Sequence, residues 1–184
     1  MAVLSSPSFS DRARLVVMAA YQSAASRGHD TVGTRHLLLE LLQDDGCAAH
    51  GALTVQGVTY QAVDQRVEYA TMELCPSRPR FERGTEQALV YALREARRLG
   101  HDLAGTGHIL QGVLRDKSGS GPHLLRLLGV NPIQAQSQPL FAEDPAPVPY
   151  PLPIFKTSIG QRDLAFVDRL LARCSDALGE ENAG

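Results

Sequence analysis

Apolar residues along the first third of the chain recur at three- and four-residue spacing, which marks one face of a helix. Ala13, Val16, Val17, Ala20 and Ala24 form the first stripe. Ser10 and Asp11 mark its start and Gly28 its end. Leu37, Leu38, Leu41 and Leu42 form a second, with Thr34 expected to cap it. Ala48, Ala49, Ala52 and Leu53 predict a short third helix that stops at Gly57. Thr59 is placed to cap a fourth, with Val63, Val67 and Ala70 on one side. The scheme then returns. Ala88, Leu89, Ala92 and Ala96 face inward up to Gly100, and Thr106 is expected to cap Ile109, Leu110, Val113 and Leu114. Leu124, Leu125, Leu127 and Leu128 follow, then Gly129, and Asn131-Pro132 reads as an N-cap and first turn.

The return is a duplication at a constant offset of 72 residues, as from Phe9 to Phe81. Gly28-His29-Asp30 matches Gly100-His101-Asp102. Gly33-Thr34-Arg35-His36-Leu37-Leu38 matches Gly105-Thr106-Gly107-His108-Ile109-Leu110, and Gly57-Val58 matches Gly129-Val130. A fixed register over this length means one supersecondary unit used twice. The fold class is therefore all-α, two tandem four-helix repeats related by pseudo-two-fold symmetry. The repeats run over 9–72 and 81–138 within a domain spanning 1–138. Residues shared by both copies are read as architectural.

The symmetry fails near Pro139, where the last helix of the second copy has little room. Residues 139–160 read as a proline-rich linker, because alternate prolines between Glu143 and Pro153 favour an extended polyproline path. A stiff spacer is the favoured reading, and a ligand for a proline-recognising groove is the alternative. Residues 161–184 form a tail in which Leu164, Val167, Leu171, Cys174 and Leu178 fall on one helical stripe. This helix is expected to dock on the body and cover apolar surface left by the shortened helix of copy two. A partner or dimer contact is the alternative.

Composition narrows the function. The chain has 184 residues, 43% apolar and 21% charged, the balance of an ordinary globular protein. Net charge is −2 with no basic run, which removes the footprint of a dedicated nucleic-acid binder. With no Trp and 5% aromatics, a base-stacking platform is unsupported. No apolar run approaches the roughly 18 residues needed to cross a bilayer, so no membrane partner is expected. Met1 to Ser8 lack the features of a secretory signal. Cys47, Cys75 and Cys174 form no CxxC pair, so a reducing cytoplasm is the expected location.

Two kinds of chemistry are suggested by residue type. His29, His36, His101 and His108 with Asp30 and Asp102 invite a metal site. Their recurrence at a loop and a helix first turn favours imidazoles bonded to exposed backbone groups, and no third ligand is evident. Cys47 and His50 lie three apart on a predicted helix and could meet as a thiol–base pair. With no oxyanion donor or orienting group, a buried small thiol is the preferred role. A metal- or thiol-dependent hydrolase remains the rival from a different class. The reading is of a protein that is not an enzyme and has no cofactor.

At the repeated motifs, Phe9-Ser10-Asp11-Arg12-Ala13 and the two Gly-His-Asp to His-Leu/Ile-Leu segments, the chain resembles the N-terminal domain of the Clp unfoldases, in particular of the ClpC type. The resemblance covers roughly Phe9 to Gln138. No Gly-x-x-x-x-Gly-Lys-Ser/Thr phosphate loop occurs in the sequence, so a recognition domain without ATPase modules is expected. The resemblance implies partners: peptides, cyclic peptide antibiotics, adaptors and Clp unfoldase or protease components. The expected role is a decoy that sequesters ClpC-targeting cyclic peptides or a regulator of Clp protease, with an accessory subunit as the alternative. It also implies a groove between the first helices of the repeats, with Phe9, Arg14, Val17, Met18, Phe81, Glu86 and Val90 as candidate lining. Met18 and Val90 are expected to face outward as adaptable apolar contacts, and Arg14 and Glu86 to set charge at the rim. Phe9 and Phe81 have a hydrophobic staple as their alternative role. The family's phosphoarginine positions fall on Thr34, Arg35, Thr106 and Gly107. Arg35 and Gly107 stand where the family has Glu, a residue suited to two parallel hydrogen bonds to a guanidinium. Weak or absent phosphoarginine binding follows.

Overall fold

The computed structural model describes residues 7–67, 78–116, 119–130 and 161–180. Ala70, Cys75, the Asn131-Pro132 pair, the shortened helix near Pro139 and the proline-rich segment lie outside the described residues. The first repeat contains α1 (Asp11–Ser26), α2 (Thr34–Gln43), α3 (Ala48–Thr54) and α4 (Tyr60–Asp64). The second contains α5 (Arg83–Leu99), α6 (Thr106–Arg115) and α7 (Ser120–Leu127), and the tail contains α8 (Gln161–Glu180).

Several helix ends follow from local chemistry. Ser10 caps α1, its Oγ accepting the Ala13 N–H at 3.2 Å. Thr59 caps α4 by accepting the Ala62 N–H. Gly28 and Gly100 leave the long helices at φ 72° and 74°, the left-handed region that admits glycine at no steric cost.

Thr34 and Thr106 do not cap their own helices, contrary to the expectation. The N-caps are Gly33 and Gly105, which have no side chain. The cap is supplied by histidine: Gly33 N–H donates to His36 Nδ1 and Gly105 N–H to His108 Nδ1, each at 3.0 Å. His36 Nε2 therefore carries the proton and donates to His29 Nδ1 at 2.8 Å, and His108 does the same to His101 at 3.0 Å. Thr34 is freed to act on the other repeat. Its Oγ1 accepts the Gly121 N–H at 2.8 Å, capping α7 in place of Gly119.

The repeats also exchange short strands. β1 (Ser8–Phe9) pairs in parallel with β4 (Leu103–Ala104), and β2 (Thr31–Val32) with β3 (Arg80–Phe81). Each strand that leads into a long helix thus pairs with the loop after the other long helix. Two residues per strand cannot stand alone, but each pairing ties one repeat to the other.

One apolar core runs through both repeats, with Leu37, Leu38, Leu41, Leu89, Leu93, Ile109, Leu110 and Leu125 fully enclosed. On α7, Leu124 and Leu125 are buried while Leu127 is 60% exposed. The tail helix α8 does dock, burying Val167, Leu170, Leu171, Cys174 and Leu178. It packs on α5 and α1, the two long helices.

Candidate functional site

The face between α1 and α5 is built by helical spacing. Arg14, Met18 and Tyr21 stand at i, i+4 and i+7 on α1. Glu86, Val90, Leu93 and Arg97 stand at i, i+4, i+7 and i+11 on α5. Arg14 and Met18 thus share one stripe of α1, and Glu86 and Val90 one stripe of α5.

The same face is occupied by α8. Tyr21 Oη donates to Asp163 at 3.4 Å, and Arg14 pairs with Asp168. Further along α8, Arg173 pairs with Glu86 at 3.2 Å, and Arg97 Nη1 donates to the Leu178 carbonyl at 3.3 Å. In chain order, α8 thus meets Tyr21 and Arg14 of α1 and then Glu86 and Arg97 of α5. Its apolar stripe fills the middle and its charges meet the rim.

This occupancy corrects the expected exposures. Met18 is 9% exposed and Val90 is half-buried, so neither is a free outward contact. Val17 is fully buried in the interior. Phe9 is buried in the core beside the β1–β4 pairing. Phe81 is buried in an aromatic cluster with Tyr21 of α1 and Phe166 of α8, with ring centroids about 6 Å apart. Arg14 and Glu86 are part-exposed, and each is engaged by an opposite charge of α8.

The other candidate positions resolve into structure. Burial, with Arg35 and His29 adding, pushes the His36 imidazole down to about 3, so it is neutral as its cap requires. Among the described residues no group of three or more His, Cys, Asp or Glu is placed to hold a metal ion. Cys47 caps α3: its Sγ accepts the backbone N–H of His50 at 3.3 Å and its thiol donates to the Leu41 carbonyl. That bond uses the backbone of His50, not the ring a thiol–base pair would need. Burial, with Glu86 adding, pushes Cys174 up to about 11, which suppresses the thiolate.

At the phosphoarginine-type positions, Thr34 and Thr106 are buried and Thr34 is committed to α7. Arg35 donates its backbone N–H to Ser120 Oγ at 3.2 Å, and its Nε is buried with no hydrogen-bond partner. Gly107 is buried within α6.

Sequence reasoning missed a second feature beside the groove. A cleft of about 510 Å³ opens between Tyr21, the segment around Pro79 and the first turns of α8. Its walls carry Arg78, Arg80, Arg162 and Arg169. These arginines come from two segments far apart in the chain, and the docking of α8 brings the two pairs together.

Comparison with known proteins agrees with this architecture. The curated ClpC/MecB of Bacillus subtilis (strain 168), a negative regulator of genetic competence, is 31% identical over 134 residues, 72% of this chain and 16% of the relative. The chain thus spans about a sixth of that relative's length. The N-terminal domain of the chaperone ClpD from Arabidopsis thaliana superposes with a TM-score of 0.55 at 24% identity, over 70% of this chain and 89% of that one. A ClpV N-domain solved in complex with a VipB peptide superposes with a TM-score of 0.51 at 22% identity, over 70% of this chain and 82% of that one. The pattern of the Clp repeat (R) N-terminal domain matches twice, at residues 8–78 and 80–143, and the chain belongs to that family.

Proposed function

We propose that this chain is a non-catalytic recognition module whose α1/α5 face binds peptides. The observation that carries the reading is the seating of α8. An amphipathic helix already lies on that face by an apolar stripe flanked by the Arg14–Asp168 and Glu86–Arg173 pairs. A surface that holds one such segment has the shape and charge to hold another. The ClpV N-domain, which shares the fold, was solved with a VipB peptide.

The finer reading is a decoy that sequesters ClpC-targeting cyclic peptides, or a regulator that imitates the recognition domain of a Clp unfoldase. In either case the incoming ligand displaces α8, so apparent affinity falls by the fraction of molecules with the face covered. Calorimetry with a ClpC-targeting cyclic peptide tests this on the full chain and on its Leu171→Asp variant, which weakens the apolar seat of α8. Tighter binding by the variant is the expected result. No heat from either protein would remove the peptide-binding reading.

Phosphoarginine is a poor ligand in this reading, because Arg35 opposes its guanidinium part and Gly107 offers no side chain. Titration with the free modified amino acid should show no saturation at micromolar concentration.

A further inference from the structure

We infer that the arginine-lined cleft between α8 and the body is a second binding site, for an acidic peptide segment carrying an aromatic side chain. It rests on the proposed peptide recognition only in taking the ligand to be a peptide. The chain's net charge is −2, yet four arginines surround this one hollow. Arg78 and Arg80 flank Pro79 at β3. Arg162 and Arg169 lie seven residues apart on α8, and so on one face of it.

The cleft contains one carboxylate, Asp163. It is engaged by Tyr21 Oη at 3.4 Å and lies 3.7 Å from Arg78. Among the described residues no carboxylate pairs with Arg80, Arg162 or Arg169. Guanidinium groups gathered without counter-charge repel one another, and an anion relieves that repulsion while accepting paired hydrogen bonds. The volume is within the range of ligand sites, roughly 300–1,000 Å³.

The ligand chemistry is indicated by the protein's own occupant. Asp163 sets a carboxylate on the Tyr21 hydroxyl while Phe166, three residues on, packs its ring near Tyr21 and Phe81. An acidic residue spaced from an aromatic one is thus already accommodated in the cleft's lining. A peptide of the same character would meet Arg80, Arg162 and Arg169 and lay its ring against Tyr21 and Phe166. Because α8 supplies half of the lining, the site exists only while α8 is docked. It therefore reports the covered state of the α1/α5 face, where a groove ligand reports the open one.

Fluorescence anisotropy on the full chain tests this with a fluorescein-labelled hexapeptide, Glu-Asp-Phe-Glu-Asp-Tyr. Its control is the same peptide with Lys for each acid. Saturable binding of the acidic peptide alone is expected. It should weaken about ten-fold in the Arg80→Ala/Arg169→Ala double variant and with added salt, and remain unchanged in Arg98→Ala. Equal binding of both peptides, or native affinity in the double variant, would overturn the site. Calorimetry with the cyclic peptide reads the α1/α5 face separately. A cyclic peptide that binds where the hexapeptide does not leaves the function standing and removes only this site.

Discussion

The two repeats reach the same backbone by different means. In the first, the long helix is tied to its neighbours by buried charge. Arg12 Nε and Nη2 donate to Asp44 at 2.6 and 2.7 Å with both side chains nearly sealed from water, and Arg27 reaches Asp64 and the Val67 carbonyl. In the second repeat Gly84 stands at the position of Arg12, and Leu99 at that of Arg27. Where α1 and α2 keep the buried Glu40, α5 and α6 have Gly112. There the helices come so close that an added Cβ would overlap the Ala88 carbonyl oxygen. One copy is held by polar bonds that demand particular partners, the other by backbone contact that demands the absence of a side chain. A duplicated fold thus tolerates either solution, provided each is complete within its own copy.

The sharpest way to break this contrast is Arg12→Ala, which leaves Asp44 buried without its partner. A loss of about 3–5 kcal/mol is expected in denaturant unfolding. Replacing both residues by apolar ones of similar volume should recover most of it. A loss below about 1 kcal/mol would mean that repeat one is not anchored by this pair.

Gly112→Ala probes the opposite solution and should cost about 1–3 kcal/mol, because α5 and α6 must separate. A thermal melt identical to the parent's would contradict the close approach.

The third probe is pH. Burial pushes Glu40 up to about 7, against its ordinary 4.5. The folded state therefore binds the extra proton between these values, and stability from this group is lost as pH rises from 4.5 to about 7. His36 acts in the opposite sense. Its folded value of about 3 lies below 6.5, so stability is lost as pH falls through that window. Glu40→Gln should therefore raise the melting temperature above pH 7 and match the parent below 4.5. A constant difference across the range would show that Glu40 does not titrate with folding.

The smallest effects belong to the α8 rim, where the first repeat offers a cation and the second an anion. Arg14→Ala and Glu86→Ala should each cost about 0.2–1 kcal/mol, since both pairs are half-exposed. Double-mutant cycles with Asp168 and Arg173 measure the couplings, and a coupling of zero at both would leave docking to the apolar stripe alone.

Much of this architecture was legible in the sequence. The 3.6-residue stripes, Ser10, Thr59 and the glycines after the long helices act through neighbours a few residues away, and sequence displays those neighbours. The repeated histidines were legible as backbone-bonding groups for the same reason. Thr34 was misread because its partner is Gly121, 87 residues on. The strands escaped notice because two-residue pairings carry no periodicity. Arg14, Met18, Glu86 and Val90 were read as lying off the core stripes, with Met18 and Val90 in the open, but Met18 is buried. Its burial depends on a helix beyond the linker, whose docking surface no local pattern specifies.

By itself the sequence determined the duplication, the helical class and the long helix that opens each repeat. These follow from period, spacing and caps, which are short-range properties. Only the tertiary structure decided that α8 packs on those helices and that four arginines from two distant segments share one cleft. Apolar burial is non-directional, so the stripe on α8 required a partner without naming it. The choice was made in three dimensions, where the α1 and α5 faces offered both apolar area and rim charges of the right sign.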